Sequence, residues 1–440
     1  MQNKQLSIEQ ALALATEHQK AGRLPDAEKI YRAILQAQPA HALANHNLGL
    51  IAHRVGRNDV AVELLAKAVA ASPATSAFHV NLGQAQRALG RIDDAIESHR
   101  RAIAANPNDA FAHSNFGHLL LAERRAAEAA PALLRGMELK PDDFEARLAY
   151  TQILLNEGRR DEALAQLDTA TKYANRPNFN SATLGKIYAR AGETGKARTY
   201  LAAALKKDPA DAEGCALVLA ALGGAPMPQR APDAYLKKLY AERAGEWDRN
   251  VERDHNYRGM ALVEAELRRL APGRLRILDA GCGTGLVGKG IRDLATELHG
   301  VDLSQPMLVQ AQAAGHYDRL FEGDMIEFMR MNPASYDAIA SAATLIHFGE
   351  LGPVFQAASG ALKPGGAFVF TLFPNTDPAA FGVGSLRGFA EGGCYFHGKD
   401  YVTERAATAG FEVLRMAEEV HEFADGKPVT GLVVSLRRTA

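Results

Sequence analysis

The sequence predicts an α plus α/β protein, in which a solenoid of repeated helix pairs precedes a domain built on a mostly parallel sheet. The first observation is a 34-residue period that runs through the N-terminal half. The second is one strand–turn–helix–strand unit at residues 276–302, with a glycine-rich turn between two acidic residues. A chain of 440 residues has room for about two to three domains.

The N-terminal period is marked by small residues that recur every 34 positions, namely Ala27, Ala61, Ala95, Ala129, Ala163 and Ala197. A loop precedes each of them, with glycine in five units and Arg124 in the fourth, and prolines close most units. Small residues let the two helices of a pair pack closely, and stacked pairs bury a continuous core. The period, a Leu-Gly pair in the first helix and the closing proline resemble the tetratricopeptide repeat.

The register of the array sets the predicted domain bounds. A repeat domain over residues 1–222 consists of six repeats and a capping helix at 212–222; the repeats are 8–41, 42–75, 76–109, 110–143, 144–177 and 178–211. Residues 223–233, GGAPMPQRAPD, are predicted to be a linker because glycine and proline interrupt regular structure. A helical cap at 234–272 and an α/β domain at 273–440 complete the prediction.

The strand–turn–helix–strand unit predicts a nucleoside site. A short apolar strand ends in Asp279, and Gly281, Gly283 and Gly285 follow it in the turn. Glycine lets the backbone turn sharply and approach a ligand that a Cβ would obstruct. The second strand ends in Asp302, 19 residues after Gly283, where a carboxylate can accept hydrogen bonds from ribose hydroxyls.

Two cofactors compete for this turn, because GTGLVG also fits the dinucleotide fingerprint. A dinucleotide lays an anionic pyrophosphate over the turn and the helix N-terminus. Asp279 would place like charge close to that pyrophosphate, at a cost that grows as water is excluded. S-adenosylmethionine has no phosphate, and a carboxylate attracts its sulfonium and ammonium groups. The acid before the turn therefore favours S-adenosylmethionine.

The motifs from about Tyr235 onwards resemble the class I S-adenosylmethionine-dependent methyltransferases: LDAGCGTG, HGVDLS, FEGDM, YDAIASAATL and LKPGGAFVFTLF, in the family's order. The resemblance implies a Rossmann-like seven-stranded sheet whose last strand is antiparallel, as the C-terminal hairpin pattern around Asp425-Gly426 also suggests. It implies that Asp302 binds the ribose, that Asp324 binds the adenine amino group and that Met325 lies against the ring. The implied cofactor site is Asp279, Gly281, Cys282, Gly283, Thr284, Gly285, Asp302, Leu303, Asp324, Met325 and Ser341.

The segment before the first strand is rich in helix formers and aromatic residues, and resembles the cap of bacterial tetratricopeptide-repeat methyltransferases. Tyr240, Trp247, Tyr257 and Arg258 are candidates for closing over cofactor or substrate. Tyr240 and Trp247 are seven residues apart, so a core-facing helix stripe is the alternative for this pair.

Methyl transfer is a displacement at a good leaving group, so the protein mainly positions the nucleophile. His347, just after the fourth motif, and His397 stand where substrate would approach in this family, and either could act as a general base. Local packing is the alternative for each. The stretch from Pro374 to Gly398 holds six glycines and three phenylalanines and could be a lid or an unstructured connection.

Composition excludes several classes of function. A net charge of −1 argues against a large nucleic-acid footprint, and no apolar stretch is long enough to span a membrane. Cys215, Cys282 and Cys394 are far apart, which suggests a reducing compartment and no metal site. The N-terminus lacks a signal-peptide pattern, so a cytoplasmic protein is expected.

These observations predict a cytoplasmic S-adenosylmethionine-dependent methyltransferase that acts on a small molecule or a protein-tethered acceptor. The repeat array would dock a protein partner or a second copy. Asn47, Asn81 and Asn115 occupy equivalent positions in three repeats and could bind an extended peptide, although packing is the alternative. Two other functions stay open: a repeat scaffold with a cofactor-sensing or inactive methyltransferase fold, and an NAD-dependent oxidoreductase.

Overall fold

The structure of the chain is a computed structural model. It describes residues 6–172, 180–245, 247, 257–271, 273–384, 394–424 and 427–439. The chain forms two compact units, Met1–Phe179 and Asn180–Ala440.

The first unit is a series of antiparallel helix pairs. The first helices begin at residues 8, 42, 76, 110 and 144, which are the starts of the first five predicted repeats. Its helices are α1 (Ile8–Lys20), α2 (Leu24–Ala37), α3 (Ala42–Arg54), α4 (Asn58–Ala71), α5 (Ser76–Ala88), α6 (Ile92–Ala105), α7 (Ala110–Ala122), α8 (Ala126–Leu139), α9 (Phe144–Asn156) and α10 (Arg160–Thr171). The 34-residue alanines Ala27, Ala61, Ala95, Ala129 and Ala163 are fully buried between these helices.

The turn within each pair repeats one conformation. Gly56 has a φ of +79°, and the N–H groups of Gly56 and Arg57 donate to the carbonyls of His53 and Ala52, at 3.0 and 2.9 Å. These bonds satisfy carbonyl groups that the helix end leaves without partners. In the fourth unit Arg124 takes the glycine position with a φ of +60°, and the same two bonds form. A side chain therefore occupies a conformation that favours glycine.

The second unit starts with the last helix pair and the predicted capping helix, which lie in the same compact unit as the catalytic domain. Its helices are α11 (Ser181–Arg190), α12 (Thr194–Lys207), α13 (Cys215–Ala221), α14 (Asp233–Arg243), α15 (Gly259–Leu270), α16 (Leu286–Ile291), α17 (Gln305–Ala314), α18 (Met325–Met331), α19 (Gly352–Ala361) and α20 (Lys399–Thr408). Its strands are β1 (Leu275–Ala280), β2 (Ala295–Asp302), β3 (Arg319–Glu322), β4 (Tyr336–Ser341), β5 (Leu362–Pro374), β6 (Phe381–Gly384), β7 (Cys394–His397), β8 (Phe411–Ala424) and β9 (Lys427–Arg438).

The central sheet has the order β3-β2-β1-β4-β5-β9-β8, in which β1 to β5 are parallel and β9 is antiparallel to β5 and β8. One apolar layer joins the sheet to α18, α19 and α20, and a second joins it to α15 and α16. Helices therefore cover both faces, as a parallel sheet requires. The predicted Rossmann-like sheet of seven strands is confirmed.

Part of the segment from Pro374 to Gly398 has regular structure, so of the two interpretations offered for it, the unstructured connection is wrong for these residues. Strands β6 and β7 form a hairpin, and β7 pairs in parallel with the end of β5 at Phe373 and Pro374. The centre of this segment, which includes Phe389, lies outside the described residues, as does the predicted turn at Asp425-Gly426.

The three cysteines, Cys215, Cys282 and Cys394, are free and buried. Burial raises the pKa of the Cys215 and Cys394 thiols to about 12. Within the described ranges, no helix combines the length and hydrophobicity that crossing a bilayer requires.

Candidate functional site

The glycine turn after β1 lies at the carboxyl edge of the parallel strands. Gly281, Gly283 and Gly285 all have left-handed φ values, of +81°, +53° and +98°. A Cβ at Gly281 would collide with the side chain of Thr344, whereas a Cβ at Gly283 would meet no atom within 4 Å. The turn is therefore packed against the loop after β4 on one side and open on the other, which is where a ligand can approach the backbone.

Asp302, at the end of β2, is tied to this turn. One carboxylate oxygen accepts from the Gly283 N–H at 2.9 Å, and the other accepts from the Ser304 N–H at 2.8 Å. Burial raises the pKa of Asp302, and the backbone N–H donors oppose that shift. Each oxygen keeps a lone pair, so the carboxylate can also accept hydroxyl donors of a ribose.

Asp279, at the end of β1, is completely buried. Oδ2 accepts a hydrogen bond from the Tyr317 hydroxyl at 2.7 Å, and among the described residues Oδ1 has no partner. Burial raises the pKa of Asp279 to about 7; the Tyr317 hydrogen bond opposes this shift and the charge of Asp302 adds to it. A buried oxygen without a partner is costly, so this one calls for a cationic or donor group of a ligand.

Asp324 follows β3 and caps α18. Its Oδ1 accepts from the N–H groups of Ile326 and Glu327, at 2.9 and 3.0 Å. Its Oδ2 accepts from the guanidinium of Arg230 at 2.9 Å. Met325, the next residue, is buried and lines the same cavity.

The turn, Asp302 and Asp324 line one cavity of about 1020 Å³, a volume that includes its opening to solvent. The described residues that line it are mostly apolar: Arg230, Leu236, Tyr240, Trp247, Tyr257, Met260, Gly281, Cys282, Gly283, Thr284, Leu286, Val287, Val301, Asp302, Leu303, Ser304, Met307, Gly323, Asp324, Met325, Ala342, Ala343, Thr344, His347 and Phe348. Three carboxylates in or beneath an apolar cavity suit the adenosyl and ammonium parts of S-adenosylmethionine.

An aromatic wall closes part of the cavity and consists of Tyr240, Trp247, Tyr257 and His347. The Tyr240 hydroxyl is 2.6 Å from His347 Nε2, and the Tyr240 ring meets Trp247 edge-on at 6.1 Å. Burial, with a smaller contribution from the charge of Arg243, lowers the pKa of His347 to about 3. Burial raises the pKa of Tyr240 well above its usual range. Both groups are therefore neutral near pH 7, and the imidazole is a weak base.

Four side chains expected at the site do not line this cavity, and one of them is Asp279, which lies buried beneath the turn. His397 is fully buried and its Nε2 lies 2.7 Å from the Phe348 carbonyl, so its ring supports the loop after β4. Ser341 donates to the Ala280 carbonyl at 2.7 Å and ties β4 to β1. Arg258 uses its backbone N–H, which donates to His421. Gly285 belongs to the turn but does not line the cavity, and a Cβ at this position would approach the ring of Tyr317.

Three other residues contribute to the site, but no local sequence motif predicted them. Tyr317 reaches back to Asp279 over 38 residues and also accepts from the Gly288 N–H at 3.2 Å. Arg230 lies in the stretch that glycine and proline marked as a linker, 94 residues before its partner Asp324. For Phe348, its position next to His347 was the only feature of the sequence that could have indicated a place in the site. Such pairings depend on the tertiary fold.

The asparagines of the helical unit are hydrogen-bonded within that unit. The Asn47 amide donates to the Tyr31 hydroxyl at 3.1 Å, and the Asn81 amide lies 2.8 Å from His46 Nε2. Asn115 donates to the Phe111 carbonyl and accepts from the Gln84 amide, both at 2.8 Å. These bonds favour the packing interpretation of the asparagines over peptide binding.

Comparison with known proteins matches both halves of the chain. Residues 278–370 match the family described as methyltransferase domain. Residues 12–74, 54–110 and 120–182 match families described as tetratricopeptide repeat.

Curated relatives match only part of the chain. A malonyl-[acyl-carrier protein] O-methyltransferase of Pseudescherichia vulneris is 38% identical over 98 residues, which are 22% of this chain and 38% of that protein. A ubiquinone biosynthesis O-methyltransferase of Xanthomonas axonopodis pv. citri is 32% identical over 121 residues, which are 26% of this chain and 49% of that protein. The chain thus spans less than half the length of either relative.

A solved structure of an S-adenosylmethionine-dependent methyltransferase from Mesorhizobium loti is 26% identical and covers 40% of this chain and 96% of that one, with a TM-score of 0.32. The family matches, together with the fold, establish the domain organisation of the chain. It carries tetratricopeptide repeats in its N-terminal region and a methyltransferase domain at its C-terminus.

Proposed function

We propose that this protein is an S-adenosylmethionine-dependent O-methyltransferase whose acceptor is an oxygen that is already anionic, in the first place a carboxylate. The observation that supports methyl transfer is the cavity itself, which the glycine turn, Asp302 and Asp324 line, together with the buried oxygen of Asp279 that has no partner among the described residues. Both curated relatives quoted above are named O-methyltransferases, which favours oxygen as the acceptor atom.

Each acid has one proposed task. Asp302 accepts from the ribose hydroxyls, Asp324 accepts from the adenine amino group, and Asp279 Oδ1 attracts the ammonium group. Bound S-adenosylmethionine would supply an electrophilic methyl group on a sulfonium. The positions of the three acids would fix that group relative to the aromatic wall, which raises the rate by orientation.

The electrostatics of the aromatic wall favour an acceptor that needs no base. With a pKa of about 3, His347 is a weak proton acceptor near pH 7, so the structure opposes the general-base role considered for it. The charge of Arg243 lowers the pKa of both His347 and Tyr240, so a positive potential reaches the wall. A carboxylate is ionised at pH 7, with a reference pKa of about 4, and is attracted by that potential. Transfer to it forms a methyl ester and moves no proton.

Tyr240 and His347 would orient the acceptor rather than deprotonate it. Their hydrogen bond of 2.6 Å fixes the hydroxyl and the imidazole relative to each other. Either group can then present a donor to the acceptor oxygen, depending on which ring nitrogen carries the proton.

The test is methyl transfer from labelled S-adenosylmethionine by the full chain, with a malonyl thioester and a catechol as representative acceptors. We expect label in a methyl ester, which mild alkali cleaves, and a kcat that is flat from pH 6 to 8. Label in an alkali-stable ether, with a kcat that rises with pH, would contradict the carboxylate assignment. Asp302→Ala controls for cofactor dependence.

Arg243→Gln should raise the KM for the acceptor about tenfold with unchanged S-adenosylhomocysteine affinity, since it removes one charge attraction of about 1.4 kcal/mol.

We further propose that the helical unit acts in the cytoplasm as a docking surface for a protein partner, a second copy of this chain included. Tetratricopeptide repeats generally mediate protein interactions, and Leu43 and Phe111 expose about half of their surface, 47% and 55%. Light scattering of the full chain and of Phe111→Ser checks self-association. A monomer in both cases would exclude a second copy as the occupant.

A further inference from the structure

The segment predicted as a linker is docked on the catalytic domain. The carbonyl of Gln229 accepts from the N–H groups of Gly349 and Glu350, at 2.8 and 2.9 Å, and the N–H of Ala231 donates to the His347 carbonyl at 2.8 Å. Arg230 lies between them in an isolated antiparallel bridge with Phe348. Three backbone bonds hold residues 229–231 against residues 347–350, so the backbone position of Arg230 is fixed by the fold.

The side chain of Arg230 enters the cofactor cavity. Nη1 donates to Asp324 Oδ2 at 2.9 Å, and the guanidinium lies over the Phe348 ring at 5.4 Å from its centroid. The other guanidinium nitrogen pairs with Asp233 at the start of α14. Arg230 and Asp324 are both partly buried, with side-chain exposures of 35% and 19%. A charge-assisted bond at this burial is stronger than one at an open surface.

Asp324 is thereby held from two sides. The N-terminus of α18 binds Oδ1 through two N–H groups, and Arg230 binds Oδ2. A carboxylate held at both oxygens has a fixed rotamer, and Oδ2 keeps a second lone pair. Both residues line the cavity, so this lone pair is available to a donor that enters it.

We infer that Arg230 is a positioning residue for the adenine base of the cofactor, which holds Asp324 so that Oδ2 accepts from the 6-amino group. This inference rests on the proposed use of S-adenosylmethionine. It makes residues 229–231 a part of the cofactor site, although they precede the methyltransferase motifs. It also connects α13 to the adenine end of the cavity through only a few residues of chain.

A purely structural role for Arg230 makes a different prediction. If the ion pair only fastened the segment to the domain, its loss would weaken all ligands of the cavity alike. A positioning role affects only ligands that carry the 6-amino group. The pair of S-adenosylhomocysteine and S-inosylhomocysteine separates the two cases, because the second has a carbonyl oxygen in place of that amino group.

The experiment is calorimetric titration of the full chain with both ligands. We expect Arg230→Ala to weaken S-adenosylhomocysteine about tenfold, which corresponds to about 1.4 kcal/mol, and to change S-inosylhomocysteine by less than twofold. Arg230→Lys should recover part of the loss, because a lysine offers the charge without the planar fork. Asp233→Asn is the matched control: it removes the other partner of Arg230 and should change neither affinity.

Two further measurements keep the inference falsifiable. In an Asp324→Asn background, Arg230→Ala should cause no additional loss, since it acts through that carboxylate. If Arg230→Ala does not fold, as judged by its thermal transition, Arg230→Gln decides. Equal weakening of both ligands, or no weakening, overturns the inference while leaving cofactor use intact. Failure of the unaltered chain to bind S-adenosylhomocysteine overturns both.

Discussion

The helical unit and the methyltransferase domain obey different rules of construction. In the helical unit a local pattern is repeated, so that the turns at Gly56 and at Arg124 form the same pair of hydrogen bonds although the residues differ. In the methyltransferase domain the decisive contacts join distant positions: Arg230 and Asp324 are 94 residues apart, and Tyr240 and His347 are 107 apart. Periodicity can therefore predict the first region, whereas the second needs the tertiary structure.

The largest effect is expected when the chain is shortened at two different positions and the stability of the two pieces is compared. A piece of residues 180–440 keeps the packing of Leu217 and Ala231 against Tyr235 and Tyr395, and it keeps Arg230. A piece of residues 234–440 lacks Leu217, Ala231 and Arg230, at a cost of about 3 kcal/mol or more from the lost burial of apolar surface alone. We expect only the longer piece to show a cooperative thermal transition and to bind S-adenosylhomocysteine. Equal stability of both pieces would restore 223–233 as a simple linker.

A second test removes the ribose acceptor. Asp302→Ala should weaken S-adenosylhomocysteine at least tenfold, because hydrogen bonds to a charged group contribute about 1.5–3 kcal/mol each. Asp318→Ala is the matched control, since Asp318 also accepts a backbone N–H, from Leu298 at 2.7 Å, but does not line the cavity. Calorimetry gives both affinities. An unchanged affinity for Asp302→Ala would remove Asp302 from the site.

The third test uses pH. With a pKa of about 7, Asp279 is largely protonated at pH 6 and ionised at pH 8. Only the ionised form attracts an ammonium group, so the affinity for S-adenosylhomocysteine should rise about three- to tenfold from pH 6 to 8. Adenosine, which lacks that group, should show no such rise, and Asp279→Asn should abolish it. A flat profile for the unaltered chain would mean that Oδ1 serves another partner.

The smallest expected effect is a change in the free energy of unfolding caused by substitutions in the turns of the helical unit. Arg124→Gly should raise the free energy of unfolding by about 0.5–1 kcal/mol, because a left-handed conformation costs a residue with a Cβ about 1–2 kcal/mol and glycine offsets part of this gain through its greater freedom when unfolded. Gly158→Ala, in the fifth unit at a φ of +74°, should lower it by a similar amount. Urea unfolding measures both. A lower free energy of unfolding for Arg124→Gly, or a higher one for Gly158→Ala, would show that the turns are not equivalent.

The sequence predicted the features that local patterns determine and missed those that depend on tertiary packing. The helix starts at residues 8, 42, 76, 110 and 144 follow from a period, and the strands β1 and β2 follow from apolar runs that end in acids. The positions of Asp279, Asp302 and Asp324 at one edge follow because each acid stands at or just after the carboxyl end of one of the parallel strands β1, β2 and β3. The position of His397 behind the Phe348 loop does not follow from any local pattern, because the hairpin β6–β7 determines it. Likewise, glycine and proline in 223–233 indicate an irregular backbone, and not whether that backbone is free or docked.

The burial of all three cysteines has a practical consequence for studying these two regions together. A thiol must ionise and be reached before it reacts with a maleimide or an oxidant, and burial opposes both at Cys215, Cys282 and Cys394. The native chain should therefore be almost inert to such reagents while it is folded. One cysteine placed on a helix of each compact unit would then be labelled selectively, and energy transfer between two dyes could follow the distance between the units in solution.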